Sequence, residues 1–151
     1  MANEEKQMDK ETCLAIIREI FSHNMFVKTC HIVIDEVSCG KAKLHMPLEA
    51  DIHVNPRGFA HGGALSTLAN TAVGVACCTV GVHTVTLNIT TDFIANLTAG
   101  HTAYAEAEVR HHGHKTIVLI AKIYDDERNL LTNTLATMYV TGDDDKIPYK
   151  W

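Results

Sequence analysis

The sequence predicts an α+β domain in which an antiparallel sheet of five or six strands wraps around one long central helix. Three observations predict it. Residues 62–81, GGALSTLANTAVGVACCTVG, are uncharged and apolar nearly all round, so a helix there must be buried on nearly every side. On both sides of this segment, apolar and polar residues alternate in runs of strand length. Gly, Asn and Asp divide those runs at hairpin spacing.

The elements follow in order. Residues 1–8 read as a frayed tail. From Asp9 to Ser22, the residues Cys13, Leu14, Ile16, Ile17, Ile20 and Phe21 recur at helical spacing, with Asp9 or Thr12 as the cap. Phe26–Val37 and Lys41–Met46 read as two strands split by the turn Ser38-Cys39-Gly40. Pro47 stops the pairing because it has no N–H to donate. Residues 47–60 form a loop, and Gly62 to Gly81 form the central helix, roughly 30 Å long. Its small residues, such as Ala64, Ala69, Ala72 and Ala76, let a sheet come close. Strands are expected over 83–95, 101–112, 115–125 and 130–142, and a solvated end over 143–151. A sheet of this kind leaves edges open, and a second subunit commonly closes them.

Composition limits the function. The 151 residues are 46% hydrophobic, enough for one domain with a real core. The net charge is −5 and the basic residues are scattered, which argues against nucleic acid as a partner. No apolar run nears the roughly 20 residues of a membrane span, and the polar N-terminus has no signal-peptide core. The five cysteines match no zinc pattern and read as free thiols in a reducing cytoplasm.

The chemistry concentrates in His53-Val54-Asn55-Pro56-Arg57-Gly58-Phe59-Ala60-His61-Gly62-Gly63-Ala64-Leu65. Gly62 and Gly63 open a helix whose first N–H groups have no partner within it and sit at the positive end of its dipole. A carbonyl oxygen seated there would be polarised. The alternative is a tight turn in which glycine only relieves crowding. Asn55 either holds a water or the acyl group, or makes an Asx turn before Pro56. His61 reads chiefly as a residue that fixes the turn, with a part in catalysis as the other reading, and His53 carries a weaker signal still. Ser66 and Cys77 have no partners for a nucleophilic triad.

Asn, two residues, Gly, two residues, His-Gly-Gly and then a helix resembles the signature of the PaaI-like branch of hotdog-fold acyl-CoA thioesterases. Thr91-Asp92-Phe93-Ile94 resembles the family's first long strand after the helix, and Gly113-His114-Lys115 stands where the family often has Gly-Arg. The resemblance implies a hotdog thioesterase-like domain over 25–142, with a tail and short amphipathic helix at 1–24 and a C-terminal tail at 143–151. It implies hydrolysis of an acyl-CoA thioester to free acid and coenzyme A, in a homodimer or dimer of dimers. Gly62 and Asn55 of one chain would face Asn70 and Thr86 of the other, these four forming the catalytic set. His61 and Gly63, with His112, Gly113, His114 and Lys115 around a second turn, would bind substrate, the second turn meeting the coenzyme A phosphates. That turn reads equally as an ordinary polar hairpin. No metal site is expected, and no cofactor beyond the coenzyme A of the substrate itself.

The chain departs from the family at Asn70, eight residues after Gly62, where a carboxylate usually acts as nucleophile or base. Asn hydrogen-bonds but takes no proton at neutral pH. Asp92 or Asp51 would be the substitutes. The alternatives are therefore a catalytically weak acyl-CoA-binding or regulatory protein, a dehydratase or hydratase, or an oligomerisation module. The second needs a His with a carboxylate, and the central helix has no acidic residue.

Overall fold

The computed structural model describes residues 7–151, so most of the tail expected over 1–8 lies outside the described residues. Helix α1, Lys10–Ser22, begins where the Thr12 N–H donates to Asp9 Oδ1 at 2.7 Å, so Asp9 is the cap. Its buried residues Cys13 and Ile17 dock on the sheet. The strand expected over Phe26–Val37 opens as helix. Asn24 Oδ1 accepts from the N–H groups of Phe26 and Val27 and so starts a short helix α2, Met25–Thr29. His31 then takes φ 53, and strand β1 begins only at Val33, running Val33–Ser38. A local side-chain cap here outweighs the alternating pattern.

Strand β2 is Lys41–Pro47, the central helix α3 is Gly62–Cys78, and β3 is Val82–Phe93. Strands β4, Thr102–His112, β5, Thr116–Tyr124, and β6, Leu130–Asp143, complete one sheet. Its six strands lie in the order β1-β2-β4-β5-β6-β3, each antiparallel to its neighbour. This is the hotdog arrangement, and α3 lies on the inner face.

The sequence shows why α3 fits there. Ala103, Ala105 and Ala107 on β4 are buried and give the helix backbone room, while Leu119, Ile123 and Met138 fill the flanks against Leu65, Leu68 and Val73. Each large side chain so buried contributes roughly 2 kcal/mol. α3 ends at Cys78 rather than Gly81. Thr79 closes it, and Gly81 at φ +70 turns the chain into β3.

The end of the chain is largely exposed, as expected, but is tied to the domain at a few points. Ile147 is 1% exposed, the Asp144 N–H donates to Gly81 O, and Trp151 Nε1 donates to Thr79 O at 2.7 Å. The acidic run Asp143 to Asp145 resembles a solvated tail in sequence, yet the apolar residues beyond it plug the C-terminal end of α3.

The two sheet edges differ. At β1, a bulge interrupts the pairing and Arg18 of α1 donates to Ile34 O at 2.7 Å, so that edge is blunted. At β3, a strand of 12 residues lies open with Val85, Leu87 and Phe93 exposed.

Candidate active site

The loop between β2 and α3 is held by His53, which is 1% exposed. Its Nδ1 accepts from the Glu49 N–H at 3.0 Å and its Nε2 donates to Cys30 O at 2.8 Å. Both ring nitrogens are therefore used, and the ring is neutral with the proton on Nε2. Its carbonyl accepts from the His61 N–H at 2.8 Å, tying the start of α3 to the same anchor. His53 carried only a weak signal in sequence, and its part is to position the loop.

Asn55 makes the Asx turn. Its Oδ1 accepts from the N–H groups of Arg57 at 2.9 Å and Phe59 at 3.2 Å. The carboxamide oxygen is thus committed, and the amide NH₂ is the part left to meet a ligand.

At the helix start, His61 is the cap residue, and its Nδ1 accepts from the Gly63 N–H at 3.0 Å. The Ala64 N–H donates to His61 O. The expected two-amide oxyanion site is thereby reduced to one, because the Gly63 N–H is already bonded within the chain. Among the described residues, no acceptor is seated at the Gly62 N–H. The Phe93 ring lies over it, so a Cβ at Gly62 would stand 3.3 Å from Phe93 Cζ. Glycine is needed here for close approach, and Phe93 shields the donor from water on one side.

Asn70 is exposed on a helix otherwise mostly covered, and the Thr86 hydroxyl donates to Asn70 Oδ1 at 2.8 Å. With Gly63, Thr67 and Gly74, Asn70 marks an uncovered stripe along α3 beside the open β3 edge, and a Cβ on Gly74 would meet nothing within 4 Å. Eight residues of helix separate Gly62 from Asn70, about 12 Å along the axis. A carbonyl carbon must lie about 3 Å from both its oxyanion donor and its attacking water. Gly62 and Asn70 of the same chain are therefore too far apart to serve one substrate. Asp92 pairs with Asn133 and points to the sheet face opposite Thr91 and Phe93, so it does not replace the missing carboxylate. Asp51 is an exposed turn residue in the β2–α3 loop.

The second turn lies at the other end of the domain. Gly113 closes it, its N–H donating to Thr116 O at 2.9 Å, while His114 and Lys115 are exposed. His112 stacks on Tyr149 of the C-terminal segment, with ring centroids 4.4 Å apart. Burial, with His111 next to it, lowers the His112 pKa from its ordinary value. The thiols near the end of α3 are not poised as nucleophiles: burial pushes the buried Cys77 up to about 11 and the partly buried Cys78 to about 12.

Residues 57–132 match the Thioesterase superfamily. The chain belongs to that family. Over 109 residues, this thioesterase-superfamily chain is 32% identical to the acyl-coenzyme A thioesterase PaaI of Escherichia coli strain K12, covering 72% of this chain and 77% of that one. The structure of the E. coli PaaI protein from the phenylacetic acid degradation operon superposes with a TM-score of 0.77 at 29% identity, over 87% of this chain and 98% of PaaI. A hypothetical thioesterase protein of Streptococcus pneumoniae TIGR4, solved with coenzyme A, also gives 0.77, over 83% of this chain and 99% of that one. At 23% identity that likeness is one of fold.

Two residues at this thioesterase-family site were not singled out for a role in sequence. Phe93 was legible only as part of a strand, since its place over Gly62 follows from a bulge between Thr86 and Asn88 that changes which β3 residues face α3. Tyr149 lies in Ile147-Pro148-Tyr149-Lys150-Trp151, whose apolar and aromatic residues are a sign of packing that the acidic run before them masks.

Proposed function

We propose that this protein hydrolyses an acyl-CoA thioester to a carboxylic acid and coenzyme A, using sites shared between two chains. The observation that carries the reading is the exposed Asn70–Thr86 pair, set about 12 Å along α3 from an unengaged Gly62 N–H. Pairing the open β3 edges of two copies brings one chain's Gly62 and Asn55 against the other's Asn70 and Thr86. The exposed Val85 and Leu87 on that edge support a homodimer, and the exposed Leu135 and Tyr139 on the outer sheet face support a dimer of dimers.

The thioester oxygen accepts from the Gly62 N–H at the positive end of α3. Because the Thr86 hydroxyl hydrogen is directed at Asn70 Oδ1, its oxygen lone pairs accept from the attacking water, and the Asn70 NH₂ donates to that water's oxygen. Water attacks the carbonyl carbon, the carbon–sulfur bond breaks, and the water's proton passes to the departing thiolate. His61 and Gly63 shape the helix start beside the acyl group. No metal or redox cofactor takes part, coenzyme A entering as part of the substrate. Free thiols at all five cysteines fit a reducing compartment, and we read the protein as cytoplasmic. No helix among the described residues is long and apolar enough to cross a membrane.

One observation favours a second reading. The neutral Asn70–Thr86 pair orients water but holds no base, which suits a slow enzyme or an acyl-CoA-binding protein. Thiol release from short, long, branched and aryl acyl-CoAs, measured beside Asn70→Asp and Asn70→Ala, separates the two. Hydrolysis by the wild type that drops in Asn70→Ala supports the enzyme. Turnover that appears only in Asn70→Asp, at unchanged ligand affinity, makes the natural protein a binder.

A further inference from the structure

Threonine and valine suit a strand equally, but a buried threonine must also find a partner for its hydroxyl. Strand β6 buries Thr132 and Thr134 fully, both on the face that meets α3. Thr134 is satisfied, its hydroxyl lying 2.9 Å from that of Thr91 on β3. Thr132 is not. Its Oγ1 is the one buried side-chain polar atom among the described residues with no hydrogen-bond partner. Such a group costs stability that valine, nearly the same in shape, would not, so packing alone does not call for threonine here. Its surroundings are informative. Thr132 pairs across the sheet with Phe93 of β3 and with the buried Ile123 of β5. Cross-strand partners share a face and lie about 5 Å apart. Phe93 is also the ring that lies over Gly62. The unmet hydroxyl therefore borders the same ring that shields the Gly62 N–H. Phe93 is exposed on the open edge strand, so turning its ring aside gives up little packing.

Resting on the acyl-CoA reading above, we infer that Thr132 is a specificity-determining residue, and that its hydroxyl takes a hydroxyl group on the acyl chain when the thioester oxygen sits at the Gly62 N–H. A threonine hydroxyl both donates and accepts, so it pairs with a substrate hydroxyl in either sense. Both protein groups border one phenyl ring, which confines the substrate hydroxyl to the carbons nearest the thioester. The preferred substrates are therefore 2- or 3-hydroxyacyl-CoAs. A plain acyl chain meets the apolar Phe93 and Ile123 but leaves Thr132 Oγ1 unmet. A site that hydrogen-bonds a substrate hydroxyl rejects the analogue lacking it more strongly than an apolar pocket rejects a missing methylene. The stability lost at Thr132 in the free protein thus becomes selectivity in the complex.

The test compares thiol release from butanoyl-CoA, 2-hydroxybutanoyl-CoA and 3-hydroxybutanoyl-CoA by the full-length wild type, Thr132→Val and Thr132→Ser. Calorimetry with the matching thioethers, S-butyl-CoA and its 2- and 3-hydroxybutyl counterparts, reads binding without hydrolysis. Each hydroxyl-to-plain ratio is divided by the same ratio in Thr132→Val, which cancels the intrinsic reactivity of the substrates. The wild type favours one hydroxylated compound roughly tenfold on this measure, in kcat/KM and in thioether affinity, the worth of one hydrogen bond. Thr132→Ser keeps the preference. Thr132→Val loses it, holds the butanoyl-CoA rate, and unfolds in urea at or above the wild-type midpoint. Equal preference in wild type and Thr132→Val overturns the inference and leaves the hydrolase standing. A Thr132→Val midpoint clearly below wild type also overturns it, since the hydroxyl would then have a partner within the fold. Thr132-dependent thioether binding without thiol release from any acyl-CoA sustains the selectivity and sinks the hydrolase.

Discussion

Replacing His53 by alanine is expected to destabilise the protein by about 3 kcal/mol, from the two hydrogen bonds it leaves unmade and the space it vacates. The Glu49 N–H loses its acceptor and Cys30 O loses its donor. Each such loss costs roughly 1 kcal/mol where water can partly enter, and the emptied ring site adds about 1 more. With a urea dependence of about 2 kcal/mol per molar, the unfolding midpoint falls by roughly 1.5 M. The comparison is made at one fixed protein concentration, because an oligomer's midpoint depends on it. Gln at this position carries its amide nitrogen close to the place of Nε2. His53→Gln therefore recovers the bond to Cys30 O but not the acceptor for Glu49, and lies between wild type and alanine. Thiol release falls in the same order, since the His53 carbonyl also holds the His61 N–H that begins α3. A midpoint shift in His53→Ala equivalent to less than about 1 kcal/mol would refute the view that this ring organises the loop.

Three further outcomes are expected. Leu87→Asp places a charge on the open β3 edge, where the native side chain is 58% exposed, and is expected to yield monomers by light scattering with thiol release lowered at least about 100-fold; a monomeric variant with full activity would show that one chain suffices. Gly81→Ala puts a Cβ 2.3 Å from Ile147 O at φ +70, so it should cost roughly 2 kcal/mol or more and shift Trp151 emission to the red as the C-terminal segment detaches. Burial raises Cys13 and Cys77 from the ordinary 9.0 to about 11, and Cys78 to about 12. Unfolded thiols therefore ionise first, the native state holds more protons above pH 9, and stability is lost as pH rises from 9 through 11. Melting temperatures should fall across that interval and fall less in Cys77→Ala; an equal fall in that variant would remove the assignment.

Local patterning was enough to read a sheet wrapped around a helix, the central helix itself and the Asn55-to-Gly63 loop. Those features rest on local periodicity and on glycine, proline and cap residues, which act over a few positions and are written in order. The sequence also marked Asn70 and Thr86, which prove to be hydrogen-bonded neighbours. The other features depend chiefly on contacts between residues far apart in the chain. Whether His53 is a surface histidine or a buried anchor depends on carbonyl and N–H groups at Cys30 and Glu49 that no spacing rule connects to it. The strand expected from Phe26 became helix because Asn24 folds back on the backbone. The Gly63 amide was consumed by the ring of His61, and a single bulge in β3 swung Phe93 over Gly62. Behind the exposed acidic run, Ile147 and Trp151 dock because the buried C-terminal end of α3 must be covered, and these are the apolar groups that the folded chain brings there.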